Sequence, residues 1–221
     1  MSGLRLVIFD VDGTLIDSQA EIKAAMALAF EGAGLPAPAP EAVLGIVGLS
    51  LPEAIRHLAP ELDDPSAASV VAGYKEAFFT LRQSGTPAPL YPGALDALEA
   101  LAAQDELLMG VATGKSRRGL DHVLDTHGLK RFFVTEQVSD HHPSKPHPSM
   151  VLAALAETGV AAQDAVMIGD TSFDMEMGRA AGVRTIGVGW GYHGADRLSA
   201  ATRLIEDFPA LPGALQRIWS E

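Results

Sequence analysis

The chain has 221 residues, 48% of them apolar, which is enough for one good core or for one core with a small added module. A formal net charge of −12 without a block of Lys or Arg argues against a nucleic-acid partner, and the absence of Cys excludes disulfide bonds and thiol catalysis. No apolar run is long enough to span a bilayer and no signal-peptide pattern is present, so we expect no membrane association and a cytoplasmic location.

The first predicted element is a strand over residues 4–9, whose apolar, partly β-branched pattern is typical of the middle of a parallel sheet. It ends at Asp10 and Asp12, which are followed by the turn residue Gly13. Ligands of open α/β sheets bind outside the carboxyl ends of such strands. A turn or helix-cap role is common for one Asp, but two acids at this place favour cation binding or chemistry.

Helical patterns then follow one another over residues 17–86, with no strand pattern between them. Residues 18–21 and 50–53 both read Ser-x-x-Glu, which predicts a capping box at the start of a helix. Asp64 opens a longer helix that ends at Gly85. We interpret residues 17–86 as an inserted helical cap that can act as a lid.

The remainder, residues 1–16 and 87–221, is interpreted as one core domain. After a Pro-rich return near Tyr91, helices alternate with short apolar runs. These runs are predicted strands at residues 107–112, 132–135, 165–168 and 184–188, the last clear strand of the chain. The alternation predicts an α/β fold, a Rossmann-like, doubly wound parallel sheet with helices on both faces.

Polar residues stand at or beyond the ends of these strands. They are Asp10, Asp12, Thr113, Gly114, Lys145, Asp170 and Asp174. Because parallel strands bring their carboxyl ends to one edge of the sheet, the set can converge there. Carboxylates suit Mg²⁺, whereas a Thr hydroxyl, a Gly amide and a Lys ammonium suit phosphate. Together they favour phosphoryl transfer.

Each of these residues also has a structural interpretation. Thr113 is suited to cap the next helix, and Lys145 lies in a polar loop where a lysine is usually solvated. Asp170 can be a helix N-cap, and Asp174 a solvent-facing helix acid that is the weakest candidate of the four carboxylates. Their joint occurrence, in this order along the chain, favours the functional interpretation.

Four segments resemble the ordered motifs of the haloacid dehalogenase-like hydrolase superfamily. They are residues 10–14, 111–114, 145–148 and 169–174. The predicted helical cap is similar to that of the phosphoglycolate phosphatase and β-phosphoglucomutase group. Residues 91–93 and 189–192 are typical of the phosphoglycolate phosphatase-like branch.

The resemblance implies a role for each residue of the motifs. Asp10 is the nucleophile that takes the phosphoryl group, and Asp12 is the general acid–base. Thr113 and the Gly114 amide hold phosphate oxygens, and Lys145 balances the charge of the nucleophile and the phosphoryl group.

The resemblance also implies an Mg²⁺ site. Asp10 and Asp170 bind the ion, the backbone carbonyl of Asp12 is a further ligand, and Asp174 completes the shell directly or through water. An acid at position 12 favours a phosphatase or phosphomutase, because dehalogenases lack the second Asp of the motif.

The function that the sequence favours is Mg²⁺-dependent hydrolysis of a small phosphorylated metabolite through an aspartyl-phosphate, with 2-phosphoglycolate as a candidate substrate. A phosphomutase of the β-phosphoglucomutase type is the nearest alternative. A regulatory phosphoacceptor is a further one, although Asp12 would speed loss of its phosphate. We expect a monomer or a homodimer.

Other residues suggest different sites. His141, His142 and His147 lie close in sequence, but their spacing fits no transition-metal pattern. We expect His193 in a surface loop, with the cavity entrance as an alternative. Residues 56–57, Arg and His, can meet a substrate carboxylate or can simply be a solvated helix face.

Overall fold

The computed structural model describes residues 3–220, except the side chain of Ser84. Within that range the chain forms one six-stranded sheet with the order β3-β2-β1-β4-β5-β6, and every pair of neighbouring strands is parallel. The strands are β1 (Arg5–Phe9), β2 (Leu107–Thr113), β3 (Thr135–Val138), β4 (Ala165–Gly169), β5 (Arg184–Val188) and β6 (Arg203–Ile205). The strand order reverses between β1 and β4, which is where doubly wound sheets bind ligands.

Strand β1 lies at the centre of the sheet and is buried on both faces. Val7 and Phe9 belong to one apolar cluster, and Leu6 and Ile8 belong to another; none of the four is exposed. A fully apolar run fits this position because helices cover both faces of a parallel sheet. The predicted α/β fold class is confirmed.

The helices fall into two groups along the chain. Four of them stand between β1 and β2: α1 (Gln19–Gly32), α2 (Pro40–Leu44), α3 (Leu51–Leu58) and α4 (Asp64–Ser84). The others alternate with the strands: α5 (Ala94–Ala102), α6 (Arg117–His127), α7 (Ser149–Thr158), α8 (Ser172–Ala180) and α9 (Leu211–Ser220). None of the helices in the described part of the chain is both long enough and apolar enough to cross a membrane.

Helices α1–α4 have an apolar cluster of their own, which includes Met26, Phe30, Ile55 and Val70. The two segments that join this group to the sheet run side by side. The Asp17 amide donates to the Pro89 carbonyl over 2.9 Å, and the Tyr91 amide donates to the Leu15 carbonyl over 2.9 Å. The four helices therefore leave the sheet and return to it through one hydrogen-bonded pair of connectors.

Both predicted capping boxes are wrong. Neither Ser18 nor Ser50 makes a side-chain cap bond to its helix. The Ser18 hydroxyl donates instead to Asp12, a partner that the local sequence does not reveal. The long helix α4 is capped by Asp63, whose side chain accepts from the Ser66 amide over 2.9 Å.

Two strands differ from the prediction. Strand β3 begins at Thr135, after a 3-10 turn over residues 130–132, and not at residue 132. Its polar residue Gln137 is buried and donates to Glu157 of α7 over 2.8 Å, so a polar run forms a buried strand. The short edge strand β6 follows β5, which was expected to be the last strand.

Candidate active site

Asp10 lies directly after β1 and is 1% exposed. Its Oδ1 atom is 2.9 Å from the Nζ atom of Lys145, whereas Oδ2 accepts no hydrogen bond within residues 3–220. Burial raises the pKa of Asp10 to about 7; Lys145 opposes this rise, and the charges of Asp174 and Asp12 add to it. A buried carboxylate oxygen without a partner is costly, so this atom is suited to bind an ion or to react.

Asp10, Asp170 and Asp174 form a buried group in which one carboxylate oxygen from each lies within 4.8 Å of the others. Burial raises the pKa of Asp170 well above its ordinary value, and the charges of Asp174 and Asp10 raise it further. Three hard oxygen donors that repel one another fit a divalent cation, which would neutralise them. The residues present therefore fit the metal that the family resemblance implies.

Two backbone segments hold Asp170 in place. The Thr14 hydroxyl donates to its Oδ1 atom over 3.0 Å, and the Tyr192 amide donates to Oδ2 over 2.8 Å. Gly13 has a φ of +79°, and a Cβ atom there would lie 2.1 Å from Asp170 Oδ2. Gly191 makes a similarly close approach, 2.0 Å from the Asp170 Cβ atom. Sequence reasoning assigned Gly13 only to a turn and missed this packing role.

Asp174 stands in the first turn of α8 and is fully buried, so the alternative of a solvent-facing acid is wrong. Its Oδ2 atom accepts from the amide of Thr171, over 3.0 Å, and from the hydroxyl of the same residue, over 2.7 Å. Thr171, and not Asp170, is the N-cap of this helix. Thr171 follows the end of β4, so the capping box holds the Asp174 side chain next to this edge of the sheet.

Lys145 is 1% exposed and joins two members of the acidic group. Its Nζ atom donates to Asp174 Oδ1 over 2.6 Å and lies 2.9 Å from Asp10. Burial lowers the pKa of Lys145, but the Asp10 and Asp174 charges outweigh burial and raise it, so the ammonium stays charged. The alternative of a solvated loop lysine is therefore wrong.

Thr113 ends β2, is 1% exposed, and does not cap the next helix. Its hydroxyl accepts from the Lys115 amide over 3.3 Å. The N-cap of α6 is Ser116, whose hydroxyl accepts from the Gly119 amide over 3.2 Å. In this contact the Thr113 hydroxyl acts only as an acceptor, so the contact does not use its proton.

Gly114 marks a close approach between the sheet edge and the helical group. A Cβ atom at this position would lie 2.5 Å from the Gly48 carbonyl oxygen and 2.7 Å from that of Leu49. Only a glycine allows the segment before α3 to come this near, so residue 114 contributes to packing as well as to the predicted phosphate site.

Lys115 is a residue of the candidate site that sequence reasoning missed. Its Nζ atom donates to both Asp12 carboxylate oxygens, over 2.7 and 2.8 Å. Burial raises the pKa of Asp12, but Lys115 and the Ser18 hydroxyl outweigh it and hold the pKa below its ordinary value. The Asp12 side chain therefore pairs with Lys115 and Ser18 and is not part of the group formed by the other three acids. The position of Lys115, directly after Thr-Gly at a strand end, was the available signal.

A cavity of about 780 Å³, named here the catalytic cavity, lies between this edge of the sheet and helices α1, α3 and α4. Asp10, Asp12, Thr113, Gly114 and Lys115 line its side formed by the sheet. Lys145, Asp170 and Asp174 are not among the lining residues, but they lie beside Asp10. The structure therefore brings the candidate residues to one edge of the sheet, as the parallel-strand pattern predicts.

His193 is 1% exposed, so the expected surface loop is wrong. Its Nδ1 atom accepts from the Ser172 amide over 3.1 Å, which leaves Nε2 protonated to donate to the Gly45 carbonyl over 3.2 Å. The ring therefore bridges the start of α8 and the segment after α2. Burial lowers its pKa, so it forms this bridge as the neutral imidazole.

The other candidates lie elsewhere. His142 contacts Ser149 and Gln137 over 2.8 and 2.9 Å, and in the described part of the chain no three histidines are grouped as metal ligands. Arg56 is exposed and pairs with Glu53 over 3.2 Å, outside the lining of the cavity. The alternative of a solvated helix face describes its position.

We expect the metal-free protein to lose stability as the pH rises from 5.5 to 7.5. Burial raises the pKa of Asp10 from its ordinary 3.8 to about 7, so the folded state holds this proton at pH 5.5 and loses it as the pH passes 7, whereas the unfolded state has already lost it. Melting temperatures with chelator at both pH values test this. The decrease should be smaller in Asp10→Asn, which has no proton to lose, and an equal decrease in both proteins would contradict the expectation.

Comparisons with known proteins agree with this geometry. The family model described as haloacid dehalogenase-like hydrolase matches residues 7–188. A probable phosphatase, IndB of Dickeya dadantii, is 34% identical over 95% of this chain and 92% of the relative. A phosphoglycolate phosphatase of Pseudomonas putida is 32% identical over 95% of this chain and 79% of the relative.

Solved structures give the same result. A hydrolase from Pseudomonas syringae has a TM-score of 0.85 at 26% identity and covers 97% of this chain and 99% of its own. The family model spans every strand end that carries a predicted site residue. The chain therefore belongs to the haloacid dehalogenase-like hydrolase family and is an enzyme of its phosphatase group.

Proposed function

We propose that the protein is an Mg²⁺-dependent phosphatase that hydrolyses a small phosphomonoester through an aspartyl-phosphate on Asp10. The observation that carries this proposal is the buried carboxylate of Asp10, a residue of the cavity lining, whose Oδ2 atom has no hydrogen-bond partner within residues 3–220. Lys145 and the two neighbouring acids surround it. This arrangement suits a nucleophile that reacts beside a cation.

The reaction proceeds in two steps. Asp10 attacks phosphorus while Asp12 gives a proton to the departing alcohol oxygen, and Asp12 then takes a proton from the water that hydrolyses the aspartyl-phosphate. Thr113 and the Gly114 amide hold phosphate oxygens next to Lys145. The Lys115 ammonium, 2.7 Å from Asp12, favours the ionised carboxylate that the second step requires. For the first step Asp12 must therefore take up a proton from solvent when the dianionic phosphate binds, and it recovers that proton from water in the second step.

Asp10, Asp170, Asp174 and the Asp12 carbonyl would hold Mg²⁺, which supplies charge neutralisation for a carboxylate that meets a dianionic phosphate. Residues 17–86 would act as the cap of this site. The paired connectors near Asp17 and Pro89 support a hinge there, because only a few hydrogen bonds join the two segments.

The test is phosphate release from a set of phosphomonoesters, with 2-phosphoglycolate included because the P. putida relative is named for it. Activity should vanish in chelator and return with Mg²⁺. Release of free phosphate, without glucose 6-phosphate formed from β-glucose 1-phosphate, would distinguish a phosphatase from a phosphomutase. Full activity in chelator would refute the proposal.

Mg²⁺ should also raise the melting temperature of the wild type, because it binds the folded state alone. The rise should be smaller in Asp170→Asn, which removes one member of the acidic group while keeping the side-chain shape. This measurement does not depend on knowing the substrate. An equal rise in both proteins would remove Asp170 from the metal site.

A further inference from the structure

The catalytic cavity is much larger than the phosphate site at its end. Its volume of about 780 Å³ falls in the range of pockets that enclose drug-sized ligands, roughly 300–1,000 Å³. A phosphoryl group next to Asp10 and Thr113 would occupy one end of it. A two-carbon ester would leave most of the space against α1 and α4 empty.

The wall opposite the strand ends is largely apolar, although Lys75, Arg82 and Gln83 of α4 also line the cavity. Ile22 and Met26 of α1, Val47 and Leu49 before α3, and Phe78 of α4 all line the cavity. The first four are less than 9% exposed, so their side chains form a close-packed surface. Burial against such a surface favours an apolar alcohol over a small charged one, because the favourable free energy grows with the apolar area removed from water.

Phe78 is held in position by its neighbours. Its ring stacks on Tyr74 with the centroids 5.4 Å apart, and the guanidinium of Arg82 lies 4.3 Å from its centroid. Arg82 in turn lies 3.9 Å from Glu21 on α1. A ring fixed in this way offers a preorganised apolar contact, because little side-chain freedom is lost on binding.

Tyr74 adds a polar group to this wall. Its hydroxyl makes no hydrogen bond to a residue in the range 3–220 that the structure describes, although the side chain lines the cavity. Burial raises its pKa, and the Asp12 charge raises it further, so the hydroxyl keeps its proton and can donate. A few polar groups in a mostly apolar pocket are the usual means of orienting a ligand, and the Tyr74 hydroxyl is one of them.

We propose that the substrate is a phosphomonoester of a bulky, largely apolar alcohol that carries a hydrogen-bond acceptor. Its apolar body packs on Phe78, and its acceptor binds the Tyr74 hydroxyl. This inference rests on the proposed phosphatase activity and adds the class of leaving group to it. Phe78 and Tyr74 are then specificity-determining residues that take no part in the chemistry.

The test compares propyl phosphate with 3-phenylpropyl phosphate in the presence of Mg²⁺. Both esters release primary alcohols of similar acidity, so the transfer chemistry is the same and only the ring differs. We expect kcat/KM to be about tenfold higher or more for the phenyl ester, because the ring is buried against the apolar wall. In Phe78→Ala this ratio should fall close to one.

Leu28→Ala is the matched control, because Leu28 is an exposed apolar residue of α1 outside the cavity lining. It should keep the wild-type ratio. Propyl phosphate serves as an internal control, since a folding defect in Phe78→Ala would lower kcat/KM for both esters and leave their ratio unchanged. An unchanged ratio in Phe78→Ala would therefore overturn the role of Phe78.

The acceptor is tested with the three pyridylpropyl phosphates, which place a ring nitrogen at different positions. At least one isomer should exceed the phenyl ester in kcat/KM, and Tyr74→Phe should remove that advantage while keeping the preference for a ring. Equal rates for all isomers would overturn the role of Tyr74.

Failure of this inference is distinct from failure of the proposed function. If 2-phosphoglycolate or propyl phosphate is hydrolysed as well as 3-phenylpropyl phosphate, the leaving-group class is wrong and the phosphatase stands. If no ester releases phosphate under any metal condition, the phosphatase proposal itself fails.

Discussion

Replacement of Asp10 by Asn is expected to lower kcat/KM for alkyl phosphomonoesters by about 10⁴-fold or more and to abolish the phosphoenzyme. An amide oxygen at this position is a poor nucleophile, while the size of the side chain is unchanged. Lys145 keeps its 2.6 Å contact with Asp174, so the surrounding charges stay paired. The measurement is phosphate release together with acid-quenched phosphoenzyme from a labelled substrate.

The variant should fold. Burial raises the pKa of the Asp10 carboxyl to about 7, which means that the folded state disfavours its negative charge, and the neutral Asn side chain removes that cost. An unchanged or higher melting temperature in chelator would show that lost activity reflects lost chemistry. Formation of the same amount of phosphoenzyme in Asp10→Asn would assign the nucleophile to another residue.

Asp12→Asn is expected to separate two kinds of substrate. An alkyl alcohol leaves poorly without a proton, whereas p-nitrophenolate leaves well. The variant should therefore lose about 10³-fold in the phosphorylation step with alkyl phosphates and far less with p-nitrophenyl phosphate. The second step should be slow with both, because water lacks its base.

Rapid mixing of Asp12→Asn with p-nitrophenyl phosphate should then give a burst of nitrophenol close to one per active site, followed by a slow rate. Phosphoenzyme measured in the same samples distinguishes slow hydrolysis of the aspartyl-phosphate, in which phosphoenzyme accumulates, from slow phosphorylation, in which it does not. If both substrates lose rate equally and no phosphoenzyme accumulates, Asp12 is not the proton carrier.

Lys115→Met is the comparison for this experiment. It removes the cation that donates to both Asp12 oxygens but leaves the carboxyl group that carries the proton. It should therefore change the phosphorylation rate by a similar factor with alkyl and with aryl phosphates. A strong leaving-group dependence in Lys115→Met would instead place Lys115 itself next to the leaving oxygen.

Much of the fold and of the site could be predicted from local patterns. The run over residues 4–9 is apolar at nearly every position, which marks a strand buried on both faces, and the alternation after Tyr91 marks parallel units. Parallel pairing then requires the strand ends to meet. Asp10, Thr113 and Asp170 could therefore be placed at one edge without coordinates, because each directly ends or follows a strand.

The local pattern did not determine which polar side chains pair with one another. Lys115 and Asp12 are 103 positions apart, and Thr14 and Asp170 are 156 apart, yet each pair forms a hydrogen bond. Ser18 fitted a capping box, but its hydroxyl bonds to Asp12 once the chain is folded. A short polar side chain takes whichever partner packing brings near, so its role depends on distant residues.

Dependence on distant partners also explains why Gln137 of β3 and His193 are buried. Gln137 in β3 and His193 near the site are polar residues that hydropathy assigns to the surface. Each is buried because a partner from another element satisfies it: Glu157 of α7 for Gln137, and the Gly45 carbonyl and Ser172 amide for His193. Chain order and strand periodicity thus determined the sheet and the edge that carries the candidate site. Only the tertiary structure decided the ion pairs, the buried polar contacts and the shape of the cavity, because these depend on contacts between residues far apart in sequence.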